Sequence, residues 1–191
     1  MQRREVVRFL SAALALPFLP SNADAAIRLG KDIHRRLSEG SFRTLTRDQQ
    51  ALVTDITEMI IPETDTPGAT SVKVPEFIDL ILTEWADDAE KSGFLVGLAD
   101  IDAKASAIGV QQQGDTKSAR FVQLAPSQKT DLLTQLDTVR NETSGAGLAF
   151  ARLKQLTVYG YFTSEHVQEK ILHRQMYFPR YEGNVPFTPA V

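Results

Sequence analysis

The sequence predicts an all-α protein, a small irregular helical bundle with a proline-rich loop and an extended aromatic tail. Three observations carry this. Apolar residues recur at steps of three and four through most of the chain, and no strand-length run alternates with period two. Clusters of proline, glycine and polar residues cut the periodic stretches into helix-sized pieces. No internal repeat is visible.

The first stretch, residues 1–25, reads as an export leader rather than as part of the bundle. Arg3-Arg4-Glu5-Val6-Val7-Arg8 gives a charged start, an apolar run follows from Phe9 to Leu19 with Pro17 inside it, and Ala23-Asp24-Ala25 supplies the small-x-small exit that a leader peptidase reads. The paired arginines resemble the core of a twin-arginine (Tat) signal. Gln2 stands in place of its Ser or Thr, Val6-Val7 in place of Phe-Leu, and Arg8 in place of Lys. Such signals are addresses read by a receptor, and this one predicts delivery to the periplasm through the Tat translocon. The alternatives are an ordinary secretory leader and an uncleaved anchor. The apolar run is well short of the ~20 residues of a spanning helix and carries a proline.

Without residues 1–25, 166 of the 191 residues remain, enough for one domain with its own core. The leader holds three arginines, one Glu and one Asp, so the remainder carries a net charge of −4 against −3 for the whole chain. A mildly acidic chain with no basic stripe and no interleaved aromatics has no footprint for nucleic acid. No second long apolar run is present, so contact with a membrane is expected only through a partner. Cysteine is absent, which removes disulfides, thiolate metal sites, Cys-x-x-Cys-His haem attachment and a cysteine nucleophile.

Residues 26–43 read as a tether or weak helix, since Ile27, Ile33 and Leu37 are too sparse to demand burial. A single helical domain follows over 44–191. Its first helix opens at Leu45-Thr46, where Thr46 caps and Asp48 complements the dipole, then runs through Leu52, Val53, Ile56, Met59 and Ile60 to Pro62. Residues 62–75 hold three prolines and form a loop, with Pro75 suited to the first turn of the next helix. That helix carries Phe77, Ile78, Ile81, Leu82 and Trp85 and ends in Asp87-Asp88-Ala89-Glu90. Gly93 separates it from a third, with Phe94, Leu95, Leu98, Ile101 and Ile108. Residues 111–115 are polar and flexible. A fourth helix starts at Ala125-Pro126 with Leu132, Leu133 and Leu136. The last segments carry Leu148 to Tyr159 and, past Thr163-Ser164, Val167, Ile171 and Leu172. The tail from Tyr177 to Val191 is too rich in proline to stay helical.

Candidate chemistry is sparse. Of the three histidines, His34, His166 and His173, the last two are seven apart on one predicted helix with Glu169 between them. Seven residues is ~10 Å of rise, whereas metal-binding helices use a four-residue step. A metal or acid/base site there is the enzymatic alternative, and surface histidine the plain one. Asp87, Asp88 and Glu90 read as a solvated face. Gly145-Ala146-Gly147 begins like a dinucleotide fingerprint, but Phe150 takes the third glycine and no buried strand precedes it. What stands out is aromatic: Tyr159-Gly160-Tyr161-Phe162-Thr163-Ser164-Glu165, then Tyr177, Phe178, Tyr181 and Phe187. Core packing at a helix junction and a protein interface are both open readings of this set.

Several of these stretches together resemble the gluconate 2-dehydrogenase subunit 3 family. They are Leu45-Thr46, Ile60-Ile61-Pro62, Asp65-Thr66-Pro67-Gly68-Ala69, Val74-Pro75-Glu76-Phe77-Ile78-Asp79 and Gly160-Tyr161-Phe162-Thr163-Ser164-Glu165. Its members are the small (gamma) subunits of periplasmic FAD-dependent sugar and polyol dehydrogenases. The resemblance implies a division of labour. A large subunit of the glucose-methanol-choline type binds FAD and oxidises the sugar hydroxyl, and a cytochrome c subunit often takes the electrons. The small subunit holds no cofactor, metal or catalytic residue of its own; it escorts the leaderless flavoprotein through the Tat translocon on its one signal. On that basis Arg3 and Arg4 address the complex, and Ala23 and Ala25 mark cleavage. Pro67, Gly68, Tyr159, Tyr161, Phe162, Thr163, Tyr177, Phe178, Tyr181 and Phe187 are then the candidate contacts with the FAD subunit. The rivals are a small independent periplasmic enzyme and a binding module, both using the His166/His173 helix.

Overall fold

A computed structural model describes residues 23–37, 42–113, 120–138 and 145–172. The fold is all-α, with no strand among the described residues. Among the described residues six α-helices follow one another: α1 (Ala23–Arg36), α2 (Arg47–Ile60), α3 (Val74–Glu84), α4 (Asp88–Gln113), α5 (Pro126–Thr138) and α6 (Ala146–Thr163). A 3-10 turn at Phe121–Gln123 precedes α5, and a π-helical turn at Val167–Ile171 follows α6. The last helix is the hub. α6 packs against all five others, α4 most extensively.

The capping chemistry explains most boundaries. Thr46 and Gln49 form a capping box: the Thr46 hydroxyl accepts from the Gln49 backbone at 3.4 Å, and Gln49 Oε1 accepts from the Thr46 backbone at 3.0 Å. α2 ends at Ile60 because Pro62 has no N–H with which to continue it. α3 opens with Pro75 in its first turn and buries residues on every side, from Val74 to Leu82, as a helix enclosed by others must. Its Asp79 carboxylate accepts from the backbone N–H groups of Arg43, Thr44 and Leu45 at 2.7–3.0 Å, which fixes the approach to α2.

Three expectations change. Residues 26–36, read as a tether or weak helix, form a docked helix, and Ile27, Ile33 and Leu37, expected to be too sparse to demand burial, are buried. The stripe Ala26, Ile27, Gly30, Ile33, His34, Leu37 is helical in spacing, but Ala, Gly and His fill half its places, so its apolar content is low. Gly93 ends no helix. The break falls at 85–87, where Asp87 Oδ1 accepts from the Glu90 N–H at 2.7 Å and Glu90 Oε2 from the Asp87 N–H at 3.2 Å. Of the acids read as a solvated face, Asp87 and Asp88 are exposed, and Asp87 with Glu90 forms the capping pair that starts α4. Residues 111–113, expected to be flexible, are the last residues of that helix.

Candidate functional site

The motif that ends α6 is the place where distant parts of the chain meet. On an α-helix residues two apart differ by ~200° in direction, so Tyr159 and Tyr161 leave α6 on nearly opposite sides. Each reaches a distant part of the chain through its hydroxyl.

Tyr159 faces α1. Its hydroxyl donates to the Ala26 carbonyl at 2.6 Å, across 133 residues of sequence. His34 Nε2 lies 2.7 Å from the Gly160 carbonyl, which can only accept, so Nε2 carries the proton and the ring is left one acceptor, Nδ1. The imidazole stacks on Phe77 with 4.7 Å between centroids, and Phe77 meets Tyr159 edge-on at 5.5 Å. Burial lowers the His34 pKa to about 4, although the bond to Gly160 acts the other way. Burial also raises the Tyr159 phenol well above its ordinary value. The helices approach too closely here for side chains: a Cβ on Gly30 would fall 2.5 Å from Thr163, and one on Gly160 would fall 2.8 Å from Phe77.

Tyr161 faces the loop between α2 and α3. Its hydroxyl donates to the Pro67 carbonyl at 2.9 Å. Burial raises its pKa; a bond with the Thr66 side chain lowers it and the nearby Glu58 charge raises it further. Glu58, in the last turn of α2, holds the loop from inside. Its carboxylate accepts from the backbone N–H of Glu63 at 2.9 Å and of Thr70 at 3.0 Å. Burial pushes the Glu58 pKa up, but the bonds from Thr70 and Glu63 outweigh it and hold the group below the ordinary carboxylate value. Gly68 is buried over this carboxylate; a Cβ there would sit 2.2 Å from Glu58 Oε1 and 2.7 Å from the Glu63 nitrogen. The Ala69 N–H donates to the Ile61 carbonyl at 2.9 Å, and Lys73 takes a left-handed conformation, φ 60°, to turn into α3. Pro62, Glu63, Thr64 and Asp65 form the exposed rim.

The structure separates the sequence-derived candidates. Tyr159, Tyr161, Phe162 and Thr163 are at most 5 % exposed, so this stretch is core, and as interface contacts these four are corrected: they have almost no surface to offer. Pro67 is half-buried and Gly68 buried within a loop whose rim is open. Arg3, Arg4, Tyr177, Phe178, Tyr181 and Phe187 lie outside the described residues, as does His173. Ala23 and Ala25 fall in the first turn of α1. His166 and Glu169 are exposed. Among the described residues no three His, Asp or Glu side chains are grouped to hold a metal, and no helix is long and apolar enough to cross a membrane. A cleft of about 210 Å³ beside His34 is lined by Lys31, Arg35, Glu165 and Glu169, a mixture of both charges.

Sequence reasoning missed His34, Gly30 and Glu58. Their signals were present but indirect. Gly30 lies mid-helix, where glycine costs ~1 kcal/mol relative to alanine unless a close approach requires it. Glu58 sits in the last turn of α2, in reach of the loop that follows.

The family model described as gluconate 2-dehydrogenase subunit 3 matches residues 47–179, well over half of the chain. Neither a curated protein nor a solved structure matches it.

Proposed function

This chain belongs to the gluconate 2-dehydrogenase subunit 3 family, whose name makes it a subunit of a multi-subunit dehydrogenase, and from that premise we propose that it is the non-catalytic small subunit of a periplasmic FAD-dependent sugar or polyol dehydrogenase. Its task is to bind a leaderless flavoprotein of the glucose-methanol-choline type in the cytoplasm, stabilise it, and carry it through the Tat translocon on the Arg3-Arg4 signal. The observation that carries the reading is the family match, which contains both the Thr66-Pro67-Gly68-Ala69 loop and the Gly160–Glu165 motif.

The buried motif supports a two-layer arrangement. Tyr161, Glu58 and Gly68 hold the loop in one shape from inside, and the exposed rim at residues 62–65 with the aromatic tail (Tyr177, Phe178, Tyr181, Phe187) meets the flavoprotein. A preformed loop loses little entropy on docking. FAD belongs to the large subunit, and electrons leave through a cytochrome c subunit where one joins.

The test is co-purification of the tagged chain from the periplasm of its own host. A yellow complex with a larger flavoprotein, both components lost from the periplasm when Arg3→Lys and Arg4→Lys are combined, is the expected result. A colourless chain isolated alone would overturn the proposal.

A further inference from the structure

The leader junction and the docked first helix occupy the same residues. α1 begins at Ala23, so the small-x-small sequence Ala23-Asp24-Ala25 and the residue after it are helical. A peptidase takes its substrate as an extended strand in its cleft, ~3.3 Å per residue, whereas a helix offers 1.5 Å per residue with its carbonyls turned inward. The first turns of α1 must therefore unwind before the bond can be cut.

That unwinding is opposed by the core. Ala26 and Ile27, which follow the scissile bond, are 2 % and 3 % exposed. The Ala26 carbonyl is held by the Tyr159 hydroxyl, Gly30 is seated against Thr163, and His34 Nε2 is bonded to the Gly160 carbonyl. All three holds come from the end of α6, on the far side of the chain in sequence. They exist only once that helix has been made and packed, so an unfolded chain presents an open junction and a folded chain a closed one.

We propose that native packing of α1 on α6, with Tyr159 as the latch, protects the Ala25–Ala26 bond, so that leader removal is gated by local opening of α1. The reaction is plain hydrolysis: water adds across the peptide bond, leaving a carboxylate on Ala25 and an amine on Ala26. The inference rests on the export reading, because it takes Ala23-x-Ala25 as the processing site. A protein exported folded would reach the peptidase with the latch shut and keep its leader until α1 peels away.

The experiment compares cleavage by a purified leader peptidase in detergent, read by intact mass, on the folded full chain, on a synthetic peptide of residues 1–35, and on the Tyr159→Phe and Tyr161→Phe full chains. The peptide is expected to be cut after Ala25, and the folded chain at least about tenfold more slowly. Tyr159→Phe should be cut on the order of five- to tenfold faster than the wild type, the factor that one ordinary buried hydrogen bond supplies. Tyr161→Phe, which loses a bond on the opposite side of α6, should be cut at the wild-type rate. Equal rates for peptide and folded chain would overturn the latch, and so would equal acceleration by both tyrosine variants, which would mean global unfolding. A peptide left uncut would overturn the proposal through its processing site, while periplasmic recovery of the intact chain would still uphold export. Amide exchange covers the case of a misfolded Tyr159→Phe: slow exchange at residues 27–30 of the wild type is required, and fast exchange there sinks the idea.

Discussion

Tyr159 and Tyr161 perform the same operation toward two regions of different physical character. Tyr159 binds α1, a helix docked through close backbone contact and a stacked, neutral histidine, where a Cβ on Gly30 would strike Thr163 and Ile33 and Phe77 are fully buried. Tyr161 binds the loop at residues 61–73, which is held mainly by a carboxylate accepting backbone N–H groups at a solvent-facing edge. The first region fails by steric conflict or by forcing a charge onto His34. The second is partly wet, so its polar bonds compete with water and each is worth little by itself. Shape fixes the α1 end of the molecule, and hydrogen bonds fix the loop.

The sharpest way to break that contrast is Gly30→Ala. Its Cβ would lie 2.5–2.6 Å from three Thr163 atoms. Thr163 cannot swing aside, being fully buried with its hydroxyl 2.8 Å from the Tyr159 carbonyl. Alanine favours a helix over glycine by ~1 kcal/mol, yet the clash should outweigh this and leave a net loss of about 3 kcal/mol. For a chain of this size that is a fall of ~6–12 °C in melting temperature by circular dichroism. A variant as stable as the wild type would show that α1 does not dock in this register.

Next in size is the response to acid. Because burial depresses His34 to about 4, the folded chain refuses a proton that the unfolded chain takes up near its ordinary pKa of ~6.5. The contribution is present above ~6.5 and lost as pH falls from there toward 4, so stability should drop by about 2 kcal/mol between pH 7 and pH 5. Lys31, Arg35, Glu165 and Glu169 line the cleft beside the ring. Urea titration of the wild type and of His34→Gln at the two pH values checks this: the variant should lack the extra slope. Equal slopes would mean that His34 is not held neutral by the fold, and the first region would look more like the second.

The same contrast decides what could be read in advance. α2, α3, α5 and the loop between α2 and α3 are legible because Thr46, Pro62, Pro75 and Pro126 punctuate strongly apolar stripes. α1 is not, because its contact stripe is built from Ala26, Gly30 and His34, residues whose burial depends on what lies 126 to 133 positions away. The start of α4 is missed for the opposite reason: Asp87 and Glu90 look like solvent-facing charge until their reciprocal backbone bonds are seen. The aromatic motif is conspicuous in sequence, but composition does not tell inward from outward. Tyr161 touches both worlds, with a buried ring and a hydroxyl that reaches a loop carbonyl.

Tyr161→Phe therefore gives the smallest effect and the most specific one. The ring and its edge-on contact with Phe162, 5.3 Å between centroids, are retained, and only the hydroxyl's bonds, to the Pro67 carbonyl and the Thr66 side chain, are lost. The Pro67 carbonyl lies in a half-buried loop and can turn to water, so the cost should be about 1 kcal/mol or less, ~2–4 °C in melting temperature. Glu58 still holds Glu63 and Thr70, so the loop should loosen at residues 66–68 without leaving its seat. Faster amide exchange confined to Thr66 and Gly68 is the expected signature, since Pro67 carries no N–H. A loss as large as that of Gly30→Ala, with exchange rising in α1 as well, would mean that both faces of α6 open as one unit, and the division between a shape-fixed end and a bond-fixed loop would fall.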